Sequence, residues 1–159
     1  MGGLPHQTSE SRVVTNTLDL LLPSFRAKVV AMLIELVSTG HYPVVHETLR
    51  TPARQAELVR RGTSKSNRSL HLIGAALDII CKHHQWDCHR YGCDFYEALG
   101  AAAKSVGLYW GGDMFPKNPF TGRRFVDKPH VQAVPYRRQS AFRRAVDREK
   151  FLRRLYDKP

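Results

Sequence analysis

Residues 69–81 read Ser-Leu-His-Leu-Ile-Gly-Ala-Ala-Leu-Asp-Ile-Ile-Cys, and the stretch divides at Gly74. After the glycine, Ala75–Cys81 is apolar and partly β-branched, the composition of a buried strand. Asp78 interrupts that strand. A carboxylate among buried apolar residues is costly unless it is paired, hydrogen-bonded or bound to a metal, so Asp78 requires a partner. The nearest candidate is His71, which the turn permitted by Gly74 can bring back beside the strand.

Working outward, Pro23 suits a first helical position, and Phe25, Val29, Met32, Leu33 and Leu36 form one apolar face of a helix that stops at Gly40. The stretch Tyr-Pro-Val-Val-His-Glu-Thr-Leu-Arg, residues 42–50, reads as a short strand. Thr51-Pro52 then reads as an N-cap with Pro in the first turn of a helix running through Gln55 to Gly62, which places Arg50 at a strand-to-helix junction. Beyond the central strand, Asp94 and Glu97 form an approximate capping box for a helix whose buried stripe is Phe95, Leu99, Ala102 and Val106. Residues 108–128, rich in Gly, Pro and aromatics, read as an ordered loop leading to a last strand, His130–Val134. The order is α, β, α, β, α, β, α. Its few short strands suit an α+β domain with helices on a small sheet better than a doubly wound fold.

The chain has 159 residues, the size of one domain with a sufficient core of its own, so residues 1–159 are read as a single domain. Residues 1–15 are expected to be frayed and residues 136–159 to form a basic C-terminal helix. Twenty-five Lys and Arg against 14 acids give +11, and the tail from residue 136 holds nine of the bases and three of the acids. That balance favours anionic partners: nucleic acid, acidic lipid or acidic wall polymer. In the tail, Ser140 is expected to cap a helix with Phe142, Val146, Leu152 and Leu155 on one face. Arg143, Arg144, Arg148, Arg153 and Arg154 would face water, an anionic wall polymer or a membrane surface. No apolar run approaches the ~20 residues of a membrane span. The opening residues lack the basic-then-apolar order of a secretory signal, so cytoplasmic synthesis is expected.

A third candidate ligand lies in Phe-Val-Asp-Lys-Pro-His-Val-Gln, where His130 starts an apolar strand and Asp127 stands three residues before it. Two His and one carboxylate with a fourth position left for water is the ligand set of a catalytic zinc site rather than a closed structural one. Taken singly, each of these residues reads as an ordinary core or capping group. Taken together, S-L-H-L-I-G-A-A-L-D and D-K-P-H resemble the zinc peptidoglycan peptidases. That family includes D-alanyl-D-alanine carboxypeptidases, vancomycin-resistance D,D-peptidases and phage L-alanyl-D-glutamate endolysins. Its pattern is S-x-H, a Gly three residues after that His, an Asp seven after it and a distal D/E-x-x-H; Ser69, His71, Gly74, Asp78, Asp127 and His130 match. E-T-L-R-T-P-A-R-Q-A-E-L resembles the family's strand-Arg-turn-helix segment, and Y-W-G-G-D-M, with Trp110 and Asp113, its Trp-Gly-Gly-Asp stretch. The likeness spans about residues 17–134. Val131 stands where an aromatic is expected, Met114 where Trp is usual, and the stretch from Asp113 to Asp127 is long, departures expected to alter the pocket wall.

The resemblance implies a Hedgehog/D,D-peptidase type of fold, a small, mainly antiparallel sheet flanked by helices. It implies one Zn²⁺ per chain, held by His71, Asp78 and His130, and amide hydrolysis by activated water in peptidoglycan stem peptides. Asp127 would take and return the proton. Arg50 would stabilise the oxyanion or bind a substrate carboxylate, and Gln55, Ser69 and Trp110 would contact substrate. A compact, strongly basic chain suits rapid wall lysis, so the L-alanyl-D-glutamate bond is favoured over terminal D-alanyl-D-alanine trimming. A monomer acting on the wall after release from the cytoplasm is expected. The competing function of another class is a basic nucleic-acid-binding module, which accounts for the charge but not for the ligand set.

Cys81, Cys88 and Cys93 stand with His83, His84 and His89 in C-K-H-H-Q-W-D-C-H-R-Y-G-C. The density invites a structural metal, yet C-x6-C-x4-C is not a paired C-x2-C knuckle. Reduced thiols, with Cys81 ending a buried strand, are the expectation, and a second metal or a disulfide the alternatives.

Overall fold

The structure, a computed structural model, describes the backbone of residues 13–156 and side chains as far as residue 150. Among the described residues four α-helices and four short strands follow in order: α1 Pro23–Ser38, β1 Pro43–Glu47, α2 Pro52–Arg60, β2 Ala76–Cys81, α3 Phe95–Ser105, β3 Tyr109–Trp110, β4 His130–Gln132 and α4 Gln139–Tyr156. The strands form one sheet in the order β1-β2-β4-β3, and every pairing is antiparallel. This is the expected α+β architecture.

β2 is the central strand and is buried along its whole length. Because side chains alternate across a sheet, Leu77, Ile79 and Cys81 face one side and Ala76, Asp78 and Ile80 the other. The first set joins the main core with Val131, the α1 residues Phe25, Val29, Met32 and Leu36, and Phe95, Leu99, Ala102 and Ala103 of α3. On the second side, Ala75 and Ala76 pack with Leu70 and Ile73 and with Phe142 and Val146 of α4. Helices thus cover both faces, which explains why an edge-to-edge apolar run rather than a clean alternation marks β2.

Gly74 makes the turn into β2. Its φ is +69°, and a Cβ there would lie 2.4 Å from the Leu20 carbonyl oxygen, so the 3-10 turn Leu70–Ile73 can pack against the chain before α1 only with glycine at this position. Thr51 caps α2 as expected, its side chain accepting from the Arg54 N–H.

Several expectations are corrected. Asp94 precedes α3 without capping it; its carboxylate accepts from His41, and Glu97 pairs with Lys128 instead of closing a box. The loop after α3 contains β3, too short to carry a sequence signal. Ser140 lies inside α4, which starts at Gln139 after a 3-10 turn at Tyr136–Arg138. The frayed start lies outside the described residues up to residue 12, but Thr15 is fastened: its carbonyl accepts from Thr48 N–H at 2.7 Å and its hydroxyl donates to Leu49 O at 2.5 Å. The side chains of Leu152, Arg153, Arg154 and Leu155 lie outside the described residues.

Candidate active site

The register of the sheet assembles the site. Asp78 on β2 is directly opposite His130 on β4 and, on its other side, opposite Glu47 at the end of β1. His71 arrives from the 3-10 turn before Gly74. All three of His71, Asp78 and His130 are buried. His71 Nε2 and His130 Nδ1 are 3.3 Å apart, and each lies close to Asp78 Oδ1, at 3.3 and 3.1 Å.

The hydrogen bonds behind the triangle fix what points into it. His71 Nδ1 lies 2.6 Å from the Thr48 carbonyl oxygen, which can only accept, so Nδ1 donates and Nε2 keeps its lone pair. Gln132 Nε2 donates to Val134 O, which leaves its Oε1 to accept from His130 Nε2 at 3.0 Å; His130 Nδ1 then keeps its lone pair. Two imidazole lone pairs and a carboxylate oxygen therefore converge with no hydrogen among them, an arrangement that calls for a cation at the centre. The edges of a tetrahedron with metal–ligand bonds of 2.0–2.1 Å are about 3.3 Å. The three residues fit a divalent metal, and the outward bonds of both rings are the supports that metal-bound histidines require.

Charge around the triangle is balanced by Arg50. Its guanidinium donates to Asp78 Oδ2 at 2.7 Å, to Glu47 Oε2 at 2.7 Å and to Gln55 Oε1 at 3.2 Å. Arg54 donates to the other Glu47 oxygen. Asp127 shares the site without joining the triangle. It lies at the head of the turn into β4, where its carbonyl accepts from His130 N–H and its own N–H donates to Gly111 O. Burial pushes its carboxyl above the ordinary value against the pull of His130, which favours its holding a proton more than an exposed carboxylate would.

Glu47, Asp78, Asp127 and His130 line a cleft of about 640 Å³. Trp86 stands at its wall, edge-on to His46, and Phe115 and Phe125 form an aromatic wall from the long loop after Asp113. Lys65, Lys117 and Arg123 also face the cleft.

The remaining expected contacts are placed as follows. Ser69 lines the cleft, but its hydroxyl accepts from the His71 N–H and so shapes the turn that presents the histidine. Gln55 is buried and consumed, donating to Ser64 and Ser66 while accepting from Arg50. It is a scaffold residue. Trp110 lies outside the cleft lining; its indole N–H donates to Lys128 O and its ring fills the space over Gly100 and Gly112. Asp113 pairs with Lys104. Val131 points into the main core, so its departure from the aromatic expectation changes packing, not the pocket wall. Sequence reading passed over Glu47, Thr48 and Gln132. Gln132 had a usable signal, since it follows His130 by two in one strand and must share its face; Thr48 acts through its backbone and had none.

Comparison with known proteins agrees with this geometry. Residues 62–133, the segment that supplies the triangle and Asp127, match a peptidase family described as D-alanyl-D-alanine carboxypeptidase. An L-alanyl-D-glutamate peptidase of a Listeria phage is 41% identical over 96 residues, 60% of this chain and 31% of the phage protein, so the chain spans about a third of that relative. The crystal structure of the Serratia marcescens L-Ala D-Glu endopeptidase ChiX superposes with a TM-score of 0.52 at 28% identity, covering 80% of this chain and 88% of the endopeptidase. A vancomycin-resistance D,D-pentapeptidase, VanY, solved with Zn(II), shares the fold at a TM-score of 0.51 and 14% identity over 76% of each chain.

Proposed function

We propose that this chain is a zinc peptidase of peptidoglycan stem peptides that cuts the L-alanyl-D-glutamate bond. The observation that carries the reading is the buried triangle of His71 Nε2, Asp78 Oδ1 and His130 Nδ1, with no hydrogen inside it and an open cleft before it. Zinc bound there supplies an acidified water and polarises the scissile carbonyl.

The chain's own residues do the rest. Thr48 and Gln132 hold the two rings with their lone pairs inward. Arg50 donates to Asp78 Oδ2 and so orients the carboxylate, and is a positioning residue rather than a free substrate anchor. Asp127, raised in pKa and facing the cleft, accepts the proton of the attacking water at its carboxylate and returns it to the departing amine. Lys65, Lys117 and Arg123 give the cleft the sign that suits a substrate carrying carboxylates. The bond assignment draws on the named activity of the Listeria phage relative and of ChiX. A nucleic-acid-binding module accounts for the charge but gives no use to the triangle.

Purified muropeptides incubated with the zinc-loaded protein and read by mass spectrometry test the reading. Stem peptides cut between L-Ala and D-Glu are expected. Loss of one terminal alanine with that bond intact would make the enzyme a D-alanyl-D-alanine carboxypeptidase, and intact muropeptides would end the peptidase reading.

A further inference from the structure

The excursion between β2 and α3 holds a second cluster of ligating side chains that the cleft does not use. Cys81 ends β2, Cys88 opens a 3-10 turn at Cys88–Tyr91, and Cys93 follows the left-handed Gly92 just before α3. One potential ligand atom from each of Cys81, His84, Cys88 and Cys93 lies within 4.8 Å of all the others. The three thiols are free, and Cys81 and Cys88 are buried.

Nδ1 of His84 is an independent mark. Among the described residues it is a buried side-chain nitrogen with no hydrogen-bond partner. A polar atom shut away from water needs a partner, and a cation held by the neighbouring sulfurs would supply one. The ring is held by stacking on Tyr91, with centroids 4.6 Å apart and planes 19° from parallel.

The backbone is arranged around the first sulfur. Gln85 N–H donates to Cys81 O at 2.8 Å, and Gln85 takes a φ of +47°, a left-handed conformation unusual for a residue with a side chain. The backbone N–H groups of His84 and His83 donate to the Cys81 sulfur. Read with the histidine included, the order is Cys81-x2-His84-x3-Cys88-x4-Cys93, which opens with a two-residue knuckle that the cysteine spacing alone conceals.

We propose that Cys81, His84, Cys88 and Cys93 form a closed structural zinc site, separate from the cleft. Four protein ligands complete tetrahedral coordination and leave no position for water, so this site holds structure and takes no part in chemistry. Three thiolates and one imidazole favour zinc over harder divalent cations. Its work is to fasten residues 82–93, which contribute little to the apolar core, between the end of β2 and the start of α3.

The test is metal content and cobalt spectroscopy on the full chain. Protein purified without chelator should carry two zinc ions per chain by elemental analysis. The variant His71→Ala/His130→Ala should keep one, and Cys88→Ser/Cys93→Ser should lose that one. Cobalt-loaded wild-type protein should show a thiolate-to-cobalt charge-transfer band and tetrahedral visible bands, both retained in the histidine variant; this measurement decides even if the cysteine variant fails to fold. A single zinc per chain with no thiolate band, or a disulfide found by intact mass, would overturn the site. Failure of the peptidase reading would show instead as intact muropeptides with the thiolate spectrum unchanged.

Discussion

Asp78 and His130 face each other across β2 and β4, and this one register places Asp78 Oδ1 3.1 Å from His130 Nδ1. Two residues 52 apart in sequence become ligands of one centre because antiparallel pairing fixes which positions oppose. A slip of β2 by one residue would turn Asp78 into the main core and Leu77 and Ile79 out of it, exchanging buried apolar side chains for a buried charge.

Gln132 should matter to metal affinity although it touches no metal. Its Oε1 accepts from His130 Nε2 and so selects the tautomer that aims Nδ1 inward. Gln132→Leu removes that acceptor at similar size, and metal affinity should fall about 10–100-fold. Competition with a zinc-binding dye measures it, and unchanged affinity would mean that the tautomer is set elsewhere.

Legibility in the sequence followed how local each signal was. His71, Gly74 and Asp78 sit in one short stretch, so the need of a buried carboxylate for a partner was visible before any fold was known. Arg50 was found, but its partners Glu47 and Asp78 depend on strand register, which residue type does not disclose. Gln55 and Trp110 were read as substrate contacts because polar and aromatic residues are ambiguous between packing and binding; burial and hydrogen bonding assign both to the scaffold. β3 is two residues long and exists only because β4 offers it an edge.

Asp127→Asn keeps the shape of the side chain and removes the base. Because Asp127 stands outside the triangle, zinc content should stay near one per site while turnover falls by roughly 10²–10⁴. Parallel loss of metal and turnover would make Asp127 a ligand.

Arg50 answers two buried carboxylates at once, and its own side chain is 11% exposed. Arg50→Met should remove the donor that Asp78 Oδ2 and Glu47 Oε2 share, leaving Glu47 to Arg54 alone, and cost about 3 kcal/mol of stability. Chemical denaturation in the presence of zinc measures the loss; Arg50→Lys should recover only part of it, because an ammonium cannot reproduce the fork that reaches both partners. Wild-type stability in Arg50→Met would show that the two carboxylates need no cation between them.

Gly111 is the hinge on which Asp127 is set. A Cβ there would lie 2.2 Å from the Asp127 carbonyl oxygen and 3.0 Å from His130 Cβ, so Gly111→Ala must displace the turn that carries the base. A displacement of about 1 Å in a positioned group can cost on the order of 10² in rate. The expected signature is a fall in kcat with KM little changed. A fall in KM-dependent binding alone would place the strain on the cleft wall instead.

The cleft cations should read the substrate's charge. Lys65, Lys117 and Arg123 line the cleft, and among the described residues none is engaged in an ion pair, whereas Arg50 and Arg54 are already committed to Glu47. A free cation facing a solvated carboxylate contributes up to about 1 kcal/mol, roughly fivefold in binding. Arg123→Gln should therefore raise KM several-fold for stem peptides whose glutamate α-carboxyl is free and leave kcat unchanged, since the contact is made equally in ground and transition states. Stem peptides amidated at that carboxyl lack the charge, so their KM should be the same for wild type and variant. Steady-state kinetics on the two muropeptides give the comparison; an equal rise on both would mean that Arg123 shapes the long loop rather than recognising charge.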